Sequence, residues 1–194
     1  MTQNPPPAAT LGAGEIRELA QRLDLRPSKS LGQNFVVDGN TCRKIVRLAQ
    51  VHSSDVVLEI GPGLGSLTDF ALQRSENGIL IEKDDRLIDF LRKRFANLTI
   101  VHGDAARFDV RDLHKHGPVK VFGNLPYYVS SQILFNFTAD TAPISKLVFT
   151  LQRELAERLA ASDSTKAYGA PTVLIGKNWK VQLLRTLPPS VFSP

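Results

Sequence analysis

Short apolar runs alternate with amphipathic segments from residue 56 onwards, and this alternation constrains the fold more than any other feature of the sequence. Residues 56–60 are predicted to form a buried strand, followed by a glycine turn and a helix over residues 66–74. The same order predicts strands at residues 78–81, 98–101, 119–122, 147–151 and 181–187, and helices at residues 85–95, 130–140, 153–161 and 171–179. Strands that alternate with helices form a mostly parallel sheet with helices on both faces, so the predicted fold class is α/β.

Two further helices are predicted before this series. Apolar side chains such as Ile16 and Leu19 recur at helical spacing, which indicates an amphipathic helix that ends near Asp24. A second helix is expected from about Asn40. Residues 1–12 are rich in proline and alanine and are expected to form a mobile tail.

The composition fits one globular domain in the cytoplasm. A chain of 194 residues is long enough for a single domain with a real core. No apolar run approaches the roughly 20 residues of a membrane span, and the amino terminus lacks a signal-peptide core, so no membrane partner is expected. Cys42 is the one cysteine, which excludes an internal disulfide and suits a reducing compartment. The four histidines make no convincing metal set, and no metal is expected.

The charge of the chain makes a polyanion a candidate partner. The formal net charge is +5 and the sequence isoelectric point is about 9.5, a level at which nucleic-acid binding becomes a reasonable hypothesis. Basic residues gather in several groups, for example at Arg43, Lys44 and Arg47. Such groups are also typical of solvated helix faces, so charge alone favours nucleic acid only weakly.

The glycine turn after the first strand of the series is a candidate ligand site. Gly61, Gly63 and Gly65 let the backbone approach a ligand closely, at a point where a helix presents free amide groups. The spacing matches the dinucleotide fingerprint imperfectly. Glu59 would crowd a pyrophosphate there and would tolerate a cationic ligand better. A purely structural turn remains the alternative.

Two acids follow the next two strands and extend this site. Glu82 lies about 20 residues after Gly61, where an acid typically accepts from both ribose hydroxyls. Asp104 can accept from an adenine amine while the backbone amide of Ala105 donates to the ring. Each acid could instead be a solvated strand end. Together, three loops after three strands predict a nucleoside crevice, and S-adenosylmethionine fits it because it combines adenine, ribose and a sulfonium cation.

Asn124-Leu125-Pro126-Tyr127 places an amide, a main-chain carbonyl and an aromatic face within four residues after an apolar strand. The amide and a carbonyl can accept both protons of an exocyclic amine, the proline stiffens the loop, and the tyrosine can stack on a flat base. A proline-containing loop after a strand can also serve only to end the strand. The polar loop at residues 29–35 could be a connector or could close over a ligand.

These motifs resemble, in order, those of the ribosomal RNA adenine dimethyltransferase family, which includes the bacterial small-subunit kasugamycin-resistance type. The matching stretches run from about residue 26 to the end and comprise Ser30–Phe35, Glu59–Gly63, Glu82, Gly103–Ala105, Asn124–Tyr127, Gln152–Glu154, Ser164–Gly169 and Pro188–Phe192. At Ala170-Pro171-Thr172 the chain departs from the commoner Arg-Leu-Ser of that family.

The resemblance implies a Rossmann-like, S-adenosylmethionine-dependent methyltransferase fold and assigns roles to individual residues. The cofactor is expected at Gln33, Asn34, Val36, Glu59, Gly61, Gly63, Glu82, Asp104, Ala105 and Asn124. The catalytic group is expected to be Asn124, Leu125, Pro126 and Tyr127, with Asn124 facing the target amine. The expected partner is ribosomal RNA in an immature small subunit, and the protein is expected to be a monomer.

The resemblance also implies how the chain is organised. We expect an amino-terminal tail and helix over residues 1–25 and a methyltransferase catalytic domain over residues 26–194. Members of the family continue beyond the position of Phe192 with a last strand and a small helical domain, so this chain is expected to be a fragment without them.

Three other functions remain open from the sequence. A nicotinamide-dependent dehydrogenase shares the first strand, the glycine turn and the acid, but it leaves Asn124–Tyr127 unexplained. A related methylase of large-subunit RNA shares the chemistry, although such enzymes usually carry isoleucine where Leu125 stands. A non-catalytic RNA-binding or transcription factor of the same fold is the third.

Overall fold

The structure is a computed structural model that describes residues 12–23, residue 25 and residues 34–193. The described α-helices are α1 (Ala13–Arg22), α2 (Gly39–Leu48), α3 (Ser66–Leu72), α4 (Asp85–Arg94), α5 (Ser130–Phe137), α6 (Arg153–Leu159) and α7 (Ala170–Gly176). The described strands are β1 (Phe35–Val36), β2 (Val56–Ile60), β3 (Asn77–Glu82), β4 (Thr99–His102), β5 (Val119–Asn124), β6 (Ile144–Thr150) and β7 (Phe192–Ser193). Short 3₁₀ helices at Ala105–Arg107, Val110–His116 and Pro189–Val191 were not predicted.

The main sheet has five parallel strands in the order β4-β3-β2-β5-β6. The chain runs from β2 to β3 and β4 towards one edge, and then returns to add β5 and β6 on the other side. The order therefore reverses between β2 and β5. In an open parallel sheet this reversal leaves a crevice at the carboxyl ends of the strands, where ligands bind.

Helices cover both faces of the sheet, as the alternation of the sequence predicts. On one face, Leu58, Ile79 and Val121 pack with apolar side chains of α5, α6 and α7. On the opposite face, Val57 and Phe122 pack against α2 and α3, and strand β3 packs against α1 and α4. Neighbouring residues of one strand thus enter different cores, because side chains alternate across a sheet with a period of two. The α/β fold class is confirmed.

Capping side chains fix where several helices begin. Asp38 accepts a hydrogen bond from the Thr41 amide at 2.6 Å and begins α2, and Asp84 accepts from the Arg86 amide at 3.1 Å and begins α4. Helix α7 begins at Ala170 with a proline in its first turn, where the missing N–H costs nothing. The departure from the family pattern at residues 170–172 is therefore compatible with a helix.

The predicted strand at residues 181–187 is wrong. Residues 181–188 have no regular structure, and Leu183 and Leu184 are more than half exposed. The apolar pattern there suits a strand, but a strand also needs a neighbour to satisfy its backbone groups. Strand β6 pairs with β5, and no described residue of the 181–187 segment pairs with either of them.

A two-stranded antiparallel sheet that the sequence did not predict joins the end of the chain to the segment before α2. Phe35 pairs with Ser193 and Val36 pairs with Phe192, while the Val37 amide donates to the Val191 carbonyl at 2.9 Å. This pairing fixes the backbone next to Asn34. Residues 1–11 of the predicted tail and the residues from Arg26 to Gln33 lie outside the described residues. None of the described helices has the length and apolar character that crossing a membrane requires.

Candidate active site

A cleft opens at the carboxyl ends of β2, β3, β4 and β5, where the strand order reverses. The predicted site residues that line it are Asn34, Val36, Glu59, Gly61, Gly63, Glu82, Asp104, Ala105, Asn124 and Pro126. The side chain of Leu125 is buried beside the cleft, and Tyr127 lies outside its lining. Gln33 is outside the described residues. The structure therefore brings ten of the predicted residues to one cleft.

The glycine turn after β2 requires glycine for conformational and steric reasons. Gly61, Gly63 and Gly65 have φ values of 65°, 57° and 87°, in the left-handed region that other residues rarely adopt. A Cβ atom at Gly63 would lie 2.7 Å from the ring of Phe35. The aromatic ring of the β1 strand therefore rests directly on the backbone of the turn. Phe35 lines the cleft and was not among the predicted site residues.

Glu59 is a buried acid at the floor of the cleft. Its Oε2 atom accepts a hydrogen bond from the Thr68 hydroxyl at 2.6 Å. Burial raises the pKa of Glu59 to about 8, and the nearby carboxyl groups of Asp69 and Glu82 act in the same direction. Glu59 is therefore largely protonated at pH 7. A cation that entered the cleft beside it would favour the ionised form.

Glu82 is held by three main-chain amides. The amides of Lys83 and Asp84 donate to Oε1 at 2.7 and 2.9 Å, and the Gly63 amide donates to Oε2 at 3.2 Å. Burial raises the pKa of Glu82, and these hydrogen bonds oppose the increase. A carboxylate offers about four acceptor positions, so one position on Oε2 remains for a ligand hydroxyl. The orientation of this side chain is fixed before any ligand arrives.

Asp104 follows β4 and is engaged at both oxygens. Oδ1 accepts from the Ala106 amide at 3.0 Å, and Oδ2 accepts from Lys83 Nζ at 2.9 Å. Burial alone would raise the pKa of Asp104, but the hydrogen bonds from Lys83 and Ala106 outweigh it and the pKa is lowered. Asp104 is therefore an ionised acceptor at neutral pH. Its partner Lys83 lines the same cleft and was not predicted.

Asn124 is the last residue of β5 and is held at both ends of its amide. Nδ2 donates to the main-chain carbonyl of Asn34 at 2.5 Å. Oδ1 accepts from the hydroxyl of Thr150, the residue that faces Asn124 on β6. The sequence placed this residue at the carboxyl end of a strand predicted to stop at residue 122, whereas the structure extends the strand itself to Asn124. The side chain is half-buried and lines the cleft rather than the apolar core.

The three residues after Asn124 differ in what they present. The Leu125 side chain is buried, and no described residue donates a hydrogen bond to its carbonyl. The Pro126 carbonyl already accepts from the Val129 amide at 3.3 Å. The Tyr127 ring is 47% exposed, and its hydroxyl accepts from Asn34 Nδ2 at 3.1 Å. Asn34 thus contacts both the amide and the aromatic residue of the predicted catalytic group.

Sequence reasoning missed Tyr128, whose ring lines the cleft and is 54% exposed. Its position beside Tyr127 in the same loop was a usable signal, because exposed aromatic side chains near a ligand site are candidates for stacking. Thr150 and Lys83 gave no such signal. Each becomes part of the site through a contact between neighbouring strands, or between the loops that follow them, that spacing in the sequence does not show.

The cleft has two chemically different ends. The acids Glu82 and Asp104 can accept from hydroxyl and amine groups, as the sugar and base of a nucleoside require. At the other end, the Asn124 amide provides a hydrogen-bond acceptor, and the exposed tyrosines provide flat surfaces on which an aromatic ring can stack. A nucleoside held by the two acids would therefore lie next to a second ligand, whose ring carries an amine that can bind at the Asn124 end.

Comparison with known proteins agrees with this geometry. The model of the family described as ribosomal RNA adenine dimethylase matches residues 25–194. Ribosomal RNA small subunit methyltransferase A of Natranaerobius thermophilus is 38% identical in an alignment that covers 93% of this chain and 67% of that protein. The chain spans about two thirds of the length of the curated relatives it matches, from 63 to 67% for three of them.

Solved structures give the same result. A dimethyladenosine transferase from Plasmodium falciparum is 32% identical, with a TM-score of 0.60 over 71% of this chain and 50% of that chain. The 23S rRNA methyltransferase ErmE is 27% identical, with a TM-score of 0.59 over 66% of this chain and 51% of that chain. The fold is therefore a Rossmann-like methyltransferase fold. On the match of the family model and the identity to its curated members, this chain belongs to the ribosomal RNA adenine dimethylase family.

Proposed function

We propose that this protein transfers methyl groups from S-adenosylmethionine to the exocyclic amine of adenines in small-subunit ribosomal RNA, adding two per base. The observation that carries the proposal is the Asn124 amide, held at the wall of the cleft by its hydrogen bonds with the Asn34 carbonyl and the Thr150 hydroxyl. Family membership and the names of the curated relatives support the same substrate class.

The cleft has the donors and acceptors that S-adenosylmethionine requires. Glu82 has an acceptor position for a ribose hydroxyl, Asp104 is ionised and can accept from the adenine amine, and the Ala105 amide can donate to the ring. The glycine turn exposes its backbone to the rest of the cofactor, and Glu59 lies where the positive charge of the cofactor would be stabilised. When bound, this cofactor supplies a methyl carbon activated by a positively charged sulfur.

The chain's own residues would act on the adenine amine by position rather than as a strong base. The lone pair of that amine is delocalised into the ring, which makes it a poor nucleophile. If the two N–H groups of the amine donated hydrogen bonds to Asn124 Oδ1 and to the Leu125 carbonyl, the nitrogen would favour a pyramidal geometry with a directed lone pair. The Leu125 carbonyl is the better second acceptor because it accepts no hydrogen bond from a described residue, whereas the Pro126 carbonyl already uses one of its two lone pairs on the Val129 amide.

The transfer then needs little further chemistry from the protein. The cleft would hold the methyl donor, which would supply the methyl carbon and depart as a neutral thioether, while Asn124 and Leu125 would hold the target nitrogen, which would form the new bond to carbon and lose one proton to solvent. Tyr127 would stack on a base flipped out of the RNA, which is typically worth roughly 1–3 kcal/mol. Positioning and electrostatics would supply most of the rate.

The direct test is mass spectrometry of ribosomal RNA from immature small subunits after incubation with the full-length protein and isotopically labelled S-adenosylmethionine. We expect labelled dimethyladenosine in the small-subunit RNA. The Asn124→Ala variant should reduce turnover at least about a hundredfold, the usual scale for a positioned polar group in catalysis, while cofactor affinity changes far less. Lost cofactor binding with intact turnover per bound complex would contradict the role of Asn124.

The other functions can be separated by binding and by substrate. Isothermal titration with S-adenosylmethionine and with NAD distinguishes a methyltransferase from a dehydrogenase. The similarity to ErmE, whose name states an action on 23S rRNA, keeps a large-subunit substrate as the second candidate, and parallel assays on both subunits decide between them. Binding without methylation would indicate a non-catalytic RNA-binding protein.

We infer a monomer in the cytoplasm that acts on the immature small subunit during its assembly. Residues 26–194 would form the catalytic domain and residues 1–25 an amino-terminal tail and helix. The basic character of the chain supports an RNA partner through contacts with phosphates.

A further inference from the structure

Beyond the proposed catalytic group, the structure assigns a positioning role to Thr150: its hydroxyl fixes which end of the Asn124 amide faces the target amine. This inference rests on the proposed function and adds a residue that neither the sequence motifs nor the cleft lining includes. Thr150 does not line the cleft and would act through Asn124.

The backbone holds the two residues in register. Asn124 and Thr150 are paired on the parallel strands β5 and β6, and the Leu125 amide donates to the Thr150 carbonyl at 3.2 Å. Thr150 is also the last residue of its strand. The hydroxyl therefore reaches the Asn124 amide from a rigid element and not from a loop.

The donor and acceptor chemistry around Asn124 permits one orientation of its amide. The Asn34 carbonyl can only accept, so the end of the amide that faces it at 2.5 Å must be the NH₂ group. Rotation by a half turn would place two acceptor oxygens against each other. With Nδ2 fixed in this way, the Thr150 hydroxyl must donate to Oδ1. The Asn34 carbonyl therefore determines the orientation of the amide, and the Thr150 hydroxyl stabilises that orientation from the opposite end.

This arrangement leaves Asn124 with one free acceptor position. A carbonyl-type oxygen has two lone pairs, and Thr150 uses one of them. The second lone pair can accept a hydrogen bond from one N–H of the target amine, while the Leu125 carbonyl accepts from the other N–H. Without the Thr150 hydroxyl, Oδ1 loses a partner and the amide gains rotational freedom about its last torsion. The acceptor would then be misdirected for part of the time, which lowers turnover but leaves the acids that hold the cofactor unchanged.

The test compares Thr150→Val, which keeps the shape and removes the donor, with Thr150→Ser, which keeps the donor. We expect the valine variant of the full-length protein to lower the turnover number about tenfold, the factor that corresponds to loss of a hydrogen bond of ~1.4 kcal/mol. The serine variant should stay within about twofold of wild type, on the same scale. The dissociation constant of S-adenosylmethionine should be unchanged in both variants.

Ser145→Ala is the matched control. Ser145 lies on the same strand and its hydroxyl donates to the Val119 carbonyl of β5 at 3.3 Å, at the end of the strand far from the cleft. Its removal should leave turnover unchanged. If the valine variant does not fold, Thr150→Ala removes the same donor without a branched side chain.

A second readout does not depend on activity. In protein labelled with nitrogen-15 asparagine, the side-chain NH₂ signals of Asn124, assigned with the Asn124→Ala variant, should be distinct and slowly exchanging in wild type and in Thr150→Ser. They should broaden or exchange faster in Thr150→Val. Wild-type turnover in the valine variant, or unchanged NH₂ signals, would overturn the positioning role. A wild-type protein that binds cofactor but methylates no RNA contradicts the proposed function instead, and the NH₂ signals then decide the role of Thr150 alone.

Discussion

At the scale of single residues, Glu59 shows how an acid in a ligand site can be neutral before the ligand binds. The side chain is buried on the face of the sheet that packs against α3, with one hydrogen bond from Thr68. Burial raises its pKa to about 8. The sequence predicted an acid that favours a cationic ligand over a pyrophosphate, and the structure adds that its charge depends on pH.

The raised pKa of Glu59 predicts how stability changes with pH. The folded protein retains this proton from the ordinary pKa of 4.5 up to about 8, whereas the unfolded chain releases it near 4.5. The contribution of Glu59 to the free energy of unfolding is therefore fully present below pH 4.5. It decreases as the pH rises towards 8, by at most about 1.4 kcal/mol per pH unit. Glu59→Gln should remove this loss and be the more stable protein at pH 8.

Urea unfolding of the cofactor-free protein at several pH values between 5 and 8 measures this difference. The free energy of unfolding of Glu59→Gln, minus that of wild type, should increase steadily across this range. Exposed Glu157 provides the control, because Glu157→Gln makes the same substitution at a site outside the cleft lining. A constant difference for Glu59→Gln across this pH range would show that the pKa of Glu59 is not raised.

At the scale of elements, the sequence predicted those parts of the fold that local patterns determine. The β2 strand, the glycine turn and α3 follow each other within residues 56–72, and their apolar spacing and glycines were sufficient to place them. The strand at residues 181–187 failed because pairing is a contact between distant segments. The β1–β7 pair was missed for the same reason, since its two strands lie more than 150 residues apart in the sequence.

The glycine turn gives a prediction for a single element. Gly63→Ala combines a left-handed backbone with a Cβ atom 2.7 Å from the Phe35 ring. The conformation costs about 1–2 kcal/mol and displacement of the packed ring about 1–3 kcal/mol, so the free energy of unfolding should fall by about 2–5 kcal/mol. The midpoint of urea denaturation measures the change. The affinity for S-adenosylmethionine should also fall, because Phe35 and the turn line the same cleft.

Gly176→Ala is the matched control for that substitution. Gly176 ends α7, and a Cβ atom there would have no atom within 4 Å. Alanine should be neutral or slightly stabilising at this position, because it reduces the freedom of the unfolded chain. Equal stability of the Gly63→Ala and Gly176→Ala proteins would contradict the close packing of Phe35 on the turn.

At the scale of the whole molecule, the cleft is assembled from segments spread over the chain. The sequence indicated which loops meet there, because the carboxyl ends of parallel strands share one edge of a sheet. It did not indicate the contacts between them, such as Lys83 with Asp104, Thr150 with Asn124, or Asn34 with Tyr127. Each contact joins residues from different strands or loops, and its geometry follows from sheet register and side-chain packing together.

A site assembled in this way predicts that cofactor binding stabilises the entire domain. The unfolded chain has no cleft, so S-adenosylmethionine at a hundred times its dissociation constant should stabilise the folded state by about 2.7 kcal/mol. For a domain of this size the melting temperature should rise by about 5–10 °C. Differential scanning calorimetry should show one transition that moves as a unit, and NAD at the same concentration should not move it. Asp104→Asn at equal cofactor concentration should give a smaller increase, because the ionised acceptor for the adenine amine is lost. A shift with NAD equal to that with S-adenosylmethionine would indicate that the acids and the glycine turn recognise a generic adenosine and that the sulfonium end contributes nothing to binding.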